Sequence, residues 1–175
     1  VVRNYEELPR VDCYASYLNQ VFLNILTNAI DALETLDSPG TTEEKMSSQT
    51  ADNQPANDQR PRRIEITTTQ QNERCIISIS DNGPGIPKDV RPKIFDPFFT
   101  TKPVGEGTGL GLSVSYQVIE SHGGKITCTS SCAGKESLGY GRESGTTFII
   151  ELPICQAYMS SNIKTANPAN SALAR

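Results

Sequence analysis

A Gly- and Pro-rich stretch near the middle of the chain has residue types suited to binding a flat, polar ligand: Asp81-Asn-Gly-Pro-Gly-Ile-Pro87. It follows a strand-like run whose alternation places Ile77, Ile79 and Asp81 on one face. A buried carboxylate needs a hydrogen-bond donor, and Gly83 and Gly85 let another molecule approach the backbone closely. One interpretation is a ligand floor in which Asp81 accepts from an amine such as the adenine N6. The other is a plain turn, because Asn-Gly is a common turn signal.

Two asparagines lie one helical turn apart in a helix predicted over residues 15–36. Asn24 and Asn28, with Asp31 beyond them, form a polar stripe opposite a broad apolar face. Asparagine is a poor helix former, so the pair calls for an explanation. A solvated helix face would more often use Glu, Lys and Gln. The alternative is a pair of neutral oxygen ligands, which suits Mg²⁺ bound together with substrate phosphates.

A glycine run, Gly105-Glu-Gly-Thr-Gly-Leu-Gly111, directly precedes a helix predicted over residues 112–121. It has neither the G-x-G-x-x-G spacing nor the Walker pattern. The amides of Gly109, Leu110 and Gly111 could hold phosphate at the helix N-terminus; the alternative is a plain linker. The upstream run Phe95-Asp-Pro-Phe-Phe-Thr-Thr-Lys-Pro103 indicates a hydrophobic anchor for a lid, and Lys102 could reach a phosphate. A satellite core would explain only the aromatic residues.

The remaining pattern predicts the elements that position these residues. We expect short strands at 1–5 and 11–13, a hairpin of strands at 63–69 and 74–80, and a short helix at 88–95. Strands at 125–131 and 145–153 follow the helix that Gly123-Gly124 ends. Short turns between neighbouring strands imply a mixed, mostly antiparallel sheet with the helices on one face. This is an α+β fold, a two-layer α/β sandwich.

Composition limits the function classes. The chain has 175 residues and a net charge of −4, with no Lys/Arg cluster beyond residues 60–63, so nucleic acid is not a predicted partner. No apolar run approaches the ~18 residues of a membrane span, and no signal peptide is recognisable. We expect one domain over residues 1–153, with a disordered insertion at 37–61 and a disordered tail at 154–175. The missing initiator Met indicates a piece of a longer protein, and the five cysteines are interpreted as reduced thiols.

Taken in order, these motifs resemble those of the ATP-binding catalytic domain of sensor histidine kinases, in the gyrase/Hsp90/histidine kinase/MutL superfamily. The N box matches residues 20–32, the first glycine box 81–87, the F box 95–102 and the second glycine box 107–112. Gly145-Thr-Thr-Phe148 resembles the last glycine-containing motif. The resemblance implies a Bergerat-type fold, with ATP and Mg²⁺ as the cofactors.

The resemblance also implies roles for matching residues. Asn28 would be the Mg²⁺ ligand, with Asn24 close to the metal and the γ-phosphate, and Asp81 would bind adenine with Thr146 helping through water. ATP-hydrolysing relatives carry a glutamate base at the position of Asn24, so an amide there favours phosphotransfer over hydrolysis. Many kinases of the family carry a basic residue where Asp31 stands, so Lys102 would supply the positive charge here. The other residues implied in nucleotide and lid contacts are Gly83, Gly85, Ile86, Phe95, Phe98, Thr101, Gly107, Thr108, Gly109, Leu110, Gly111 and Leu112.

The function implied is transfer of the γ-phosphate of Mg-ATP to a histidine on a separate phosphoacceptor helical hairpin absent from this chain. A response regulator would act downstream. The domain is expected to be cytoplasmic, and the parent a homodimer that is soluble or membrane-anchored. His122 is interpreted as a helix C-terminal residue rather than an acceptor. Two alternatives stay open: an anti-sigma-factor-type serine kinase of the same fold, and a degenerate nucleotide-sensing module.

Overall fold

The computed structural model describes residues 1–37, 61–103, 105–132 and 144–154. Its strands are β1 (Val2–Tyr5), β2 (Ile64–Gln71), β3 (Arg74–Asp81), β4 (Lys125–Ser131) and β5 (Gly145–Pro153). Its α-helices are α1 (Ala15–Glu34) and α2 (Gly111–Ser121), with 3₁₀ turns at Thr35–Asp37 and Arg91–Lys93. The predicted tail after Ile154 and all of the predicted insertion except its end residues, 37 and 61, lie outside the described residues.

The strands form one 5-stranded sheet in the order β1-β2-β3-β5-β4. β1 pairs with β2 in parallel, and every other neighbouring pair is antiparallel. The mixed, mostly antiparallel sheet predicted from the short turns is therefore confirmed. Both α-helices pack against each other and against this sheet, which gives the α+β sandwich.

Cross-strand register aligns the helix-facing side chains into rows across the sheet. One row contains Ile66, Ile79, Phe148 and Cys128, and the next contains Thr68, Ile77, Ile150 and Ile126. Most of these side chains are apolar and belong to the core or pack against it, together with Val21, Ile25 and Leu33 of α1 and Ile119 of α2. Burying such a face is the main stabilising term of a sandwich of this kind. The row at the end of the strands differs: it contains Ile64, Asp81, Thr146 and Ser130.

The C-terminus of α2 ends in two consecutive glycines, as predicted. Gly123 has φ +66° and its N–H donates to the Glu120 carbonyl at 2.9 Å, while the Gly124 N–H donates to the Ile119 carbonyl at 2.9 Å. This pair of bonds is the Schellman motif, which glycine favours because it lacks a Cβ. A Cβ on Gly124 would also lie 2.9 Å from side-chain atoms of Ile119 and Leu152. Both glycines are therefore required by the turn from α2 into β4.

Three sequence predictions need correction. Residues 11–13 form no strand but irregular backbone leading into α1, because they have no strand partner in the sheet. The helix predicted over residues 88–95 is reduced to turns around a 3₁₀ segment, Arg91–Lys93; Pro92 has no N–H to donate to a longer helix. In the structure, the broad apolar face predicted for α1 does not include Ile30, which is 48 % exposed. None of the helices among the described residues is long and apolar enough to span a bilayer.

Candidate nucleotide-binding site

The Asp81 carboxylate lies at the end of the sheet, buried on the side that faces the helices. Its Oδ1 accepts a hydrogen bond from the Gly83 N–H at 2.9 Å. Burial raises the pKa of Asp81, while hydrogen bonds from the backbone amides of Gly83 and Thr146 lower it and offset part of that shift. The sequence required donors for this carboxylate, and the backbone provides them. The carboxylate is therefore fixed in place beside the apolar rows.

Close packing explains the glycines of the turn after Asp81. A Cβ on Gly83 would lie 2.9 Å from the Asp81 Oδ1 and 3.3 Å from the Ala32 Cβ of α1. Gly85 has φ +81°, and a Cβ there would collide with the Ser131 carbonyl oxygen. The turn is thus pressed between α1 and β4. It is not a plain hairpin turn, because the next strand along the chain is β4, whereas the strand beside β3 in the sheet is β5.

Side chains of α1 line the neighbouring wall. The Asn24 Nδ2 donates to the Gly111 carbonyl at 3.0 Å and to the Ser115 Oγ at 3.2 Å, so this amide holds the first turn of α2. Asn28 is half-buried, and its side chain makes no hydrogen bond to any residue that the structure describes. The pair is therefore not a simple solvated face. The Asn24 nitrogen serves helix pairing, and the Asn28 amide stays available to a ligand.

Lys102 forms an ion pair with Asp31 of α1. The contact brings the end of the predicted F box beside the asparagine stripe. Both side chains are about one third exposed, at 35 % and 36 %. Lys102 thus lies close enough to α1 to contact a ligand bound along this helix, and its ion-pair partner is Asp31.

The predicted F box splits into a core part and an exposed part. The Phe95 ring packs 5.6 Å from Tyr116 and 6.5 Å from Phe148, measured between ring centroids. Phe98 is 75 % exposed and has φ +65°, a conformation that bulky residues rarely adopt. A Cβ on Gly109, itself at φ +66°, would collide with the Phe98 backbone. Phe95 is therefore the anchor, and the structure does not bring Phe98 into the core.

Other predicted residues fall into two groups. Ile86 and Leu112 pack against the hydrophobic core, and Gly111 is the first residue of α2, as expected for a glycine run that opens a helix. Thr101, Thr108 and Leu110 are exposed on the segment before α2. A Cβ on Gly107 would lie 2.5 Å from the Thr100 Oγ1. The Asn24 bond to the Gly111 carbonyl links the start of α2 to the wall formed by α1.

Sequence reasoning missed Ser130 and Asn82. Ser130 contacts the turn after Asp81 and the start of β5, while Asn82 bonds to Pro61 and Arg63 at the start of β2. Neither role has a signal in the sequence, because each depends on which strand lies next to which. A groove of about 380 Å³ opens where the strands end, and its lining includes Asp81 and Ser130 together with Glu65, Ser80, Thr129 and Thr147. The register places the last four side chains on the sheet face opposite the helices, so the groove adjoins the site at Asp81 from that face.

Cysteines and metal clusters add little to this site. The described cysteines, Cys13, Cys75, Cys128 and Cys132, are free thiols. Burial raises the pKa of Cys128 to about 11, with Arg91 lowering it and Asp81 raising it, so this thiol stays protonated. Among the described residues, no group of three or more His, Cys, Asp or Glu side chains is arranged to hold a metal ion.

The sandwich is that of an ATPase domain of the histidine kinase class. Residues 14–156 match the family model described as histidine kinase-, DNA gyrase B- and HSP90-like ATPase. The chain belongs to this family.

Sensor kinases are among its relatives. It is 37 % identical over 149 residues to the signal transduction histidine-protein kinase AtoS of Escherichia coli, covering 85 % of this chain and 18 % of AtoS. It is 33 % identical over 175 residues to the sensory histidine kinase/phosphatase NtrB of Rhizobium leguminosarum, covering 98 % of this chain and 38 % of NtrB. The chain thus spans only a part of these longer proteins.

Solved structures agree with the fold. The catalytic domain of the histidine kinase ThkA superposes with a TM-score of 0.56 at 30 % identity, covering 87 % of this chain and 79 % of that one. The mycobacterial sensor histidine kinase MprB superposes with a TM-score of 0.56 at 26 % identity, covering 86 % and 81 %. The chain has the fold of the ATP-binding catalytic domain of sensor histidine kinases.

Proposed function

We propose that this chain binds Mg-ATP and transfers the γ-phosphate to a histidine on a separate phosphoacceptor helical hairpin of its parent protein. The observation that carries the proposal is the buried Asp81 carboxylate beside α1. The same helix presents Asn24, Asn28 and the Lys102–Asp31 pair. One carboxylate acceptor over an apolar floor suits the adenine amine. Neutral amides and a lysine suit the phosphate end.

The donor set fits a magnesium ion that arrives with the nucleotide. Mg²⁺ prefers oxygen ligands and is commonly held by few protein groups plus phosphate oxygens and water. The Asn28 amide oxygen has no protein partner among the described residues, and the Asn24 oxygen is left over while its nitrogen bonds to α2. These two residues would hold the ion, which would neutralise charge on the phosphates during transfer.

In the proposed step, the acceptor imidazole nitrogen bonds to the γ-phosphorus while the bond to the β,γ-bridging oxygen breaks. ADP leaves with the electron pair, and Lys102 would stabilise the phosphate charge once it exchanges Asp31 for a phosphate oxygen. An amide at position 24 accepts no proton, so the chain holds no base there to activate water. Transfer to a nitrogen nucleophile is thereby favoured over hydrolysis. A response regulator would then receive the phosphate from the histidine.

The histidine of this chain is not suited to be the acceptor. His122 is 1 % exposed, its Nδ1–H donates to the Val118 carbonyl at 2.7 Å, and its Nε2 accepts from the Tyr14 N–H at 3.0 Å. Both nitrogens are engaged inside the fold. In-line transfer requires the reacting atoms to approach to about 3–3.5 Å, which a hairpin outside the domain can provide.

The test mixes the chain, labelled ATP with Mg²⁺ and the parent's phosphoacceptor hairpin. We expect acid-labile, base-stable label on the hairpin and none on the chain alone. Asn28→Ala should reduce the transfer rate at limiting Mg²⁺ by roughly tenfold, about 1.4 kcal/mol, while Thr27→Ala, on the exposed side of the same helix turn, should not. ATP binding without transfer would favour the sensing module, and acid-stable label would favour the serine kinase. Label on the chain alone that His122→Ala abolishes would refute the assignment of the acceptor.

A further inference from the structure

The hydroxyl of Ser130 links three parts of the candidate adenine site. The Ser130 Oγ accepts a hydrogen bond from the Ile86 N–H at 2.7 Å, in the turn that follows Asp81. It donates to the Gly145 carbonyl at 2.8 Å, at the start of β5. It also lies 3.1 Å from the Thr146 Oγ1. One side chain of β4 therefore joins the turn, the β5 backbone and the threonine beside Asp81.

The number of hydrogens fixes the direction of these bonds. A serine hydroxyl has one hydrogen to donate and two lone pairs that accept. The Gly145 carbonyl can only accept, so the Ser130 hydrogen is used there. The Thr146 hydroxyl must then donate to Ser130, which fills the second lone pair. Ser130 has no capacity left, and the Thr146 hydrogen is turned away from Asp81.

The register shows why this matters for the ligand. Asp81, Thr146 and Ser130 are direct cross-strand neighbours in one row on the helix-facing side of the sheet. The Asp81 carboxylate accepts only, and Thr146 presents its lone pairs because its hydrogen is committed. This end of the site therefore offers acceptors, which suits a base edge that carries an amine.

We propose that Ser130 is a positioning residue that sets the nucleobase selectivity of the site. This inference rests on the proposed function, in which adenine lies against Asp81. Ser130 acts through other residues: it holds the turn that carries Gly85 and Ile86, and it orients the Thr146 hydroxyl. Without Ser130, Thr146 is free to donate, and the turn loses its bond to β4. A carbonyl at position 6 of a purine, as in guanine, would then be rejected less strongly than in the native protein.

The test compares the dissociation constants of non-hydrolysable ATP and GTP analogues, measured by titration calorimetry with Mg²⁺. The two ligands share their sugar and phosphates, so their ratio reports on the base end. We expect the native chain to favour the ATP analogue and Ser130→Ala to narrow that preference about fivefold, the fold-change of one net hydrogen bond. Ser130→Thr keeps the hydroxyl and should show the same ratio of dissociation constants as the native chain. In a Thr146→Val background, Ser130→Ala should change the ratio little.

Ser80→Ala is the matched control. The Ser80 Oγ lies 2.8 Å from the Thr147 Oγ1, so Ser80→Ala removes the same kind of cross-strand hydroxyl pair on the opposite face of the sheet. The ratio of the two dissociation constants should not change. If Ser130→Ala does not fold, Ser130→Cys keeps the volume with a weak donor and should narrow the ratio too. If Ser130→Ala and Ser130→Cys weaken the binding of both analogues equally and leave the ratio unchanged, the inference is overturned. A native chain that binds neither analogue would instead refute the proposed function.

Discussion

Asp81 meets two opposed demands. Burial disfavours its ionised form, while a ligand amine needs that form as an acceptor. Burial raises the pKa of Asp81 above its ordinary value of 3.8. This direction determines how the contribution of Asp81 to stability changes with pH. The contribution of Asp81 to stability is fully present below pH 3.8 and is lost as the pH rises through the raised pKa. At neutral pH the ionised carboxylate is therefore less favourable to the folded domain than the protonated form would be.

The first prediction concerns Asp81→Asn. We expect it to weaken binding of an ATP analogue by about 1.5–3 kcal/mol, because a neutral acceptor replaces a charged one. The same change should raise the melting temperature of the ligand-free domain at pH 7, because it removes a buried charge. In the native chain, ATP affinity should fall as the pH is lowered through the raised pKa of Asp81, since the protonated carboxyl is a poorer acceptor.

Asp81→Asn also controls for the effect of pH on the nucleotide itself. Protonation of the nucleotide phosphates affects the native chain and Asp81→Asn alike, so the difference between their affinity profiles isolates Asp81. Titration calorimetry at several pH values gives both profiles. Equal affinity of the two proteins at pH 7 would exclude the adenine role of Asp81.

The Lys102–Asp31 pair makes a different point at the same scale. Both groups are more than one third exposed, and exposed ion pairs contribute only about 0–1 kcal/mol. Such a pair can exchange partners at little cost when phosphate arrives. The sequence predicted Lys102 as the available positive charge, and the structure shows Asp31 as its ion-pair partner.

At the scale of elements, His122 joins the two helices. It is the C-cap of α2, and its Nε2 accepts from the backbone N–H of Tyr14, the N-cap of α1. The rings of Tyr14 and His122 also meet edge to face with centroids 5.7 Å apart. The sequence placed His122 correctly at a helix end, and the structure adds that both of its ring nitrogens make contacts within the fold.

The second prediction tests this connection. His122→Phe keeps a ring of similar size but leaves the Tyr14 N–H without its acceptor and removes one of the donors to the Val118 carbonyl. We expect it to lower the free energy of unfolding by about 1–3 kcal/mol, measured by urea denaturation. Ser121→Ala serves as the control, because Ser121 donates to the same Val118 carbonyl at 2.7 Å from an exposed position. A loss for His122→Phe no larger than that for Ser121→Ala would contradict a connecting role.

At the scale of the whole molecule, both sides of the predicted insertion are held by local contacts. Asn82 donates to the Pro61 carbonyl at 3.0 Å and accepts from the Arg63 N–H at 2.7 Å. On the other side, Ala32 of α1 packs against Gly83. The end of α1 and the start of β2 are therefore both fixed beside the turn that follows Asp81.

The third prediction is that residues 39–60 can be replaced by a short Gly-Ser link without loss of the fold. The segment has few apolar residues, and loop closure changes by only about 0.6 kcal/mol per doubling of length. Pro61 must be kept, because Asn82 bonds to its carbonyl. Thermal melting measures the outcome, with Asn82→Ala in the full chain as a destabilising comparison. A shortened protein that melts several degrees below the native chain would show that the segment contributes to the packed fold.

The sequence by itself determined the elements and the residue types of the site. Period-two and helical spacing are local properties, so α1, α2 and the four longer strands could be predicted from side-chain alternation. Asp81, Asn24 and Asn28 were recognisable because a carboxylate in an apolar stripe and paired asparagines within a helix conflict with their surroundings. The predicted strand at 11–13 failed because it has no strand partner in the sheet, and the helix at 88–95 failed because Pro92 has no N–H to donate.

Tertiary structure decided what depends on neighbours in space. Strand order and register place Thr146 and Ser130 in one row with Asp81, and no local pattern encodes which strands will pair. The same holds for the Asn24 bond to α2, the Lys102–Asp31 pair and the His122 bond to Tyr14, which join residues far apart along the chain. Local chemistry selects the residues that can act; long-range packing selects the partners with which they act.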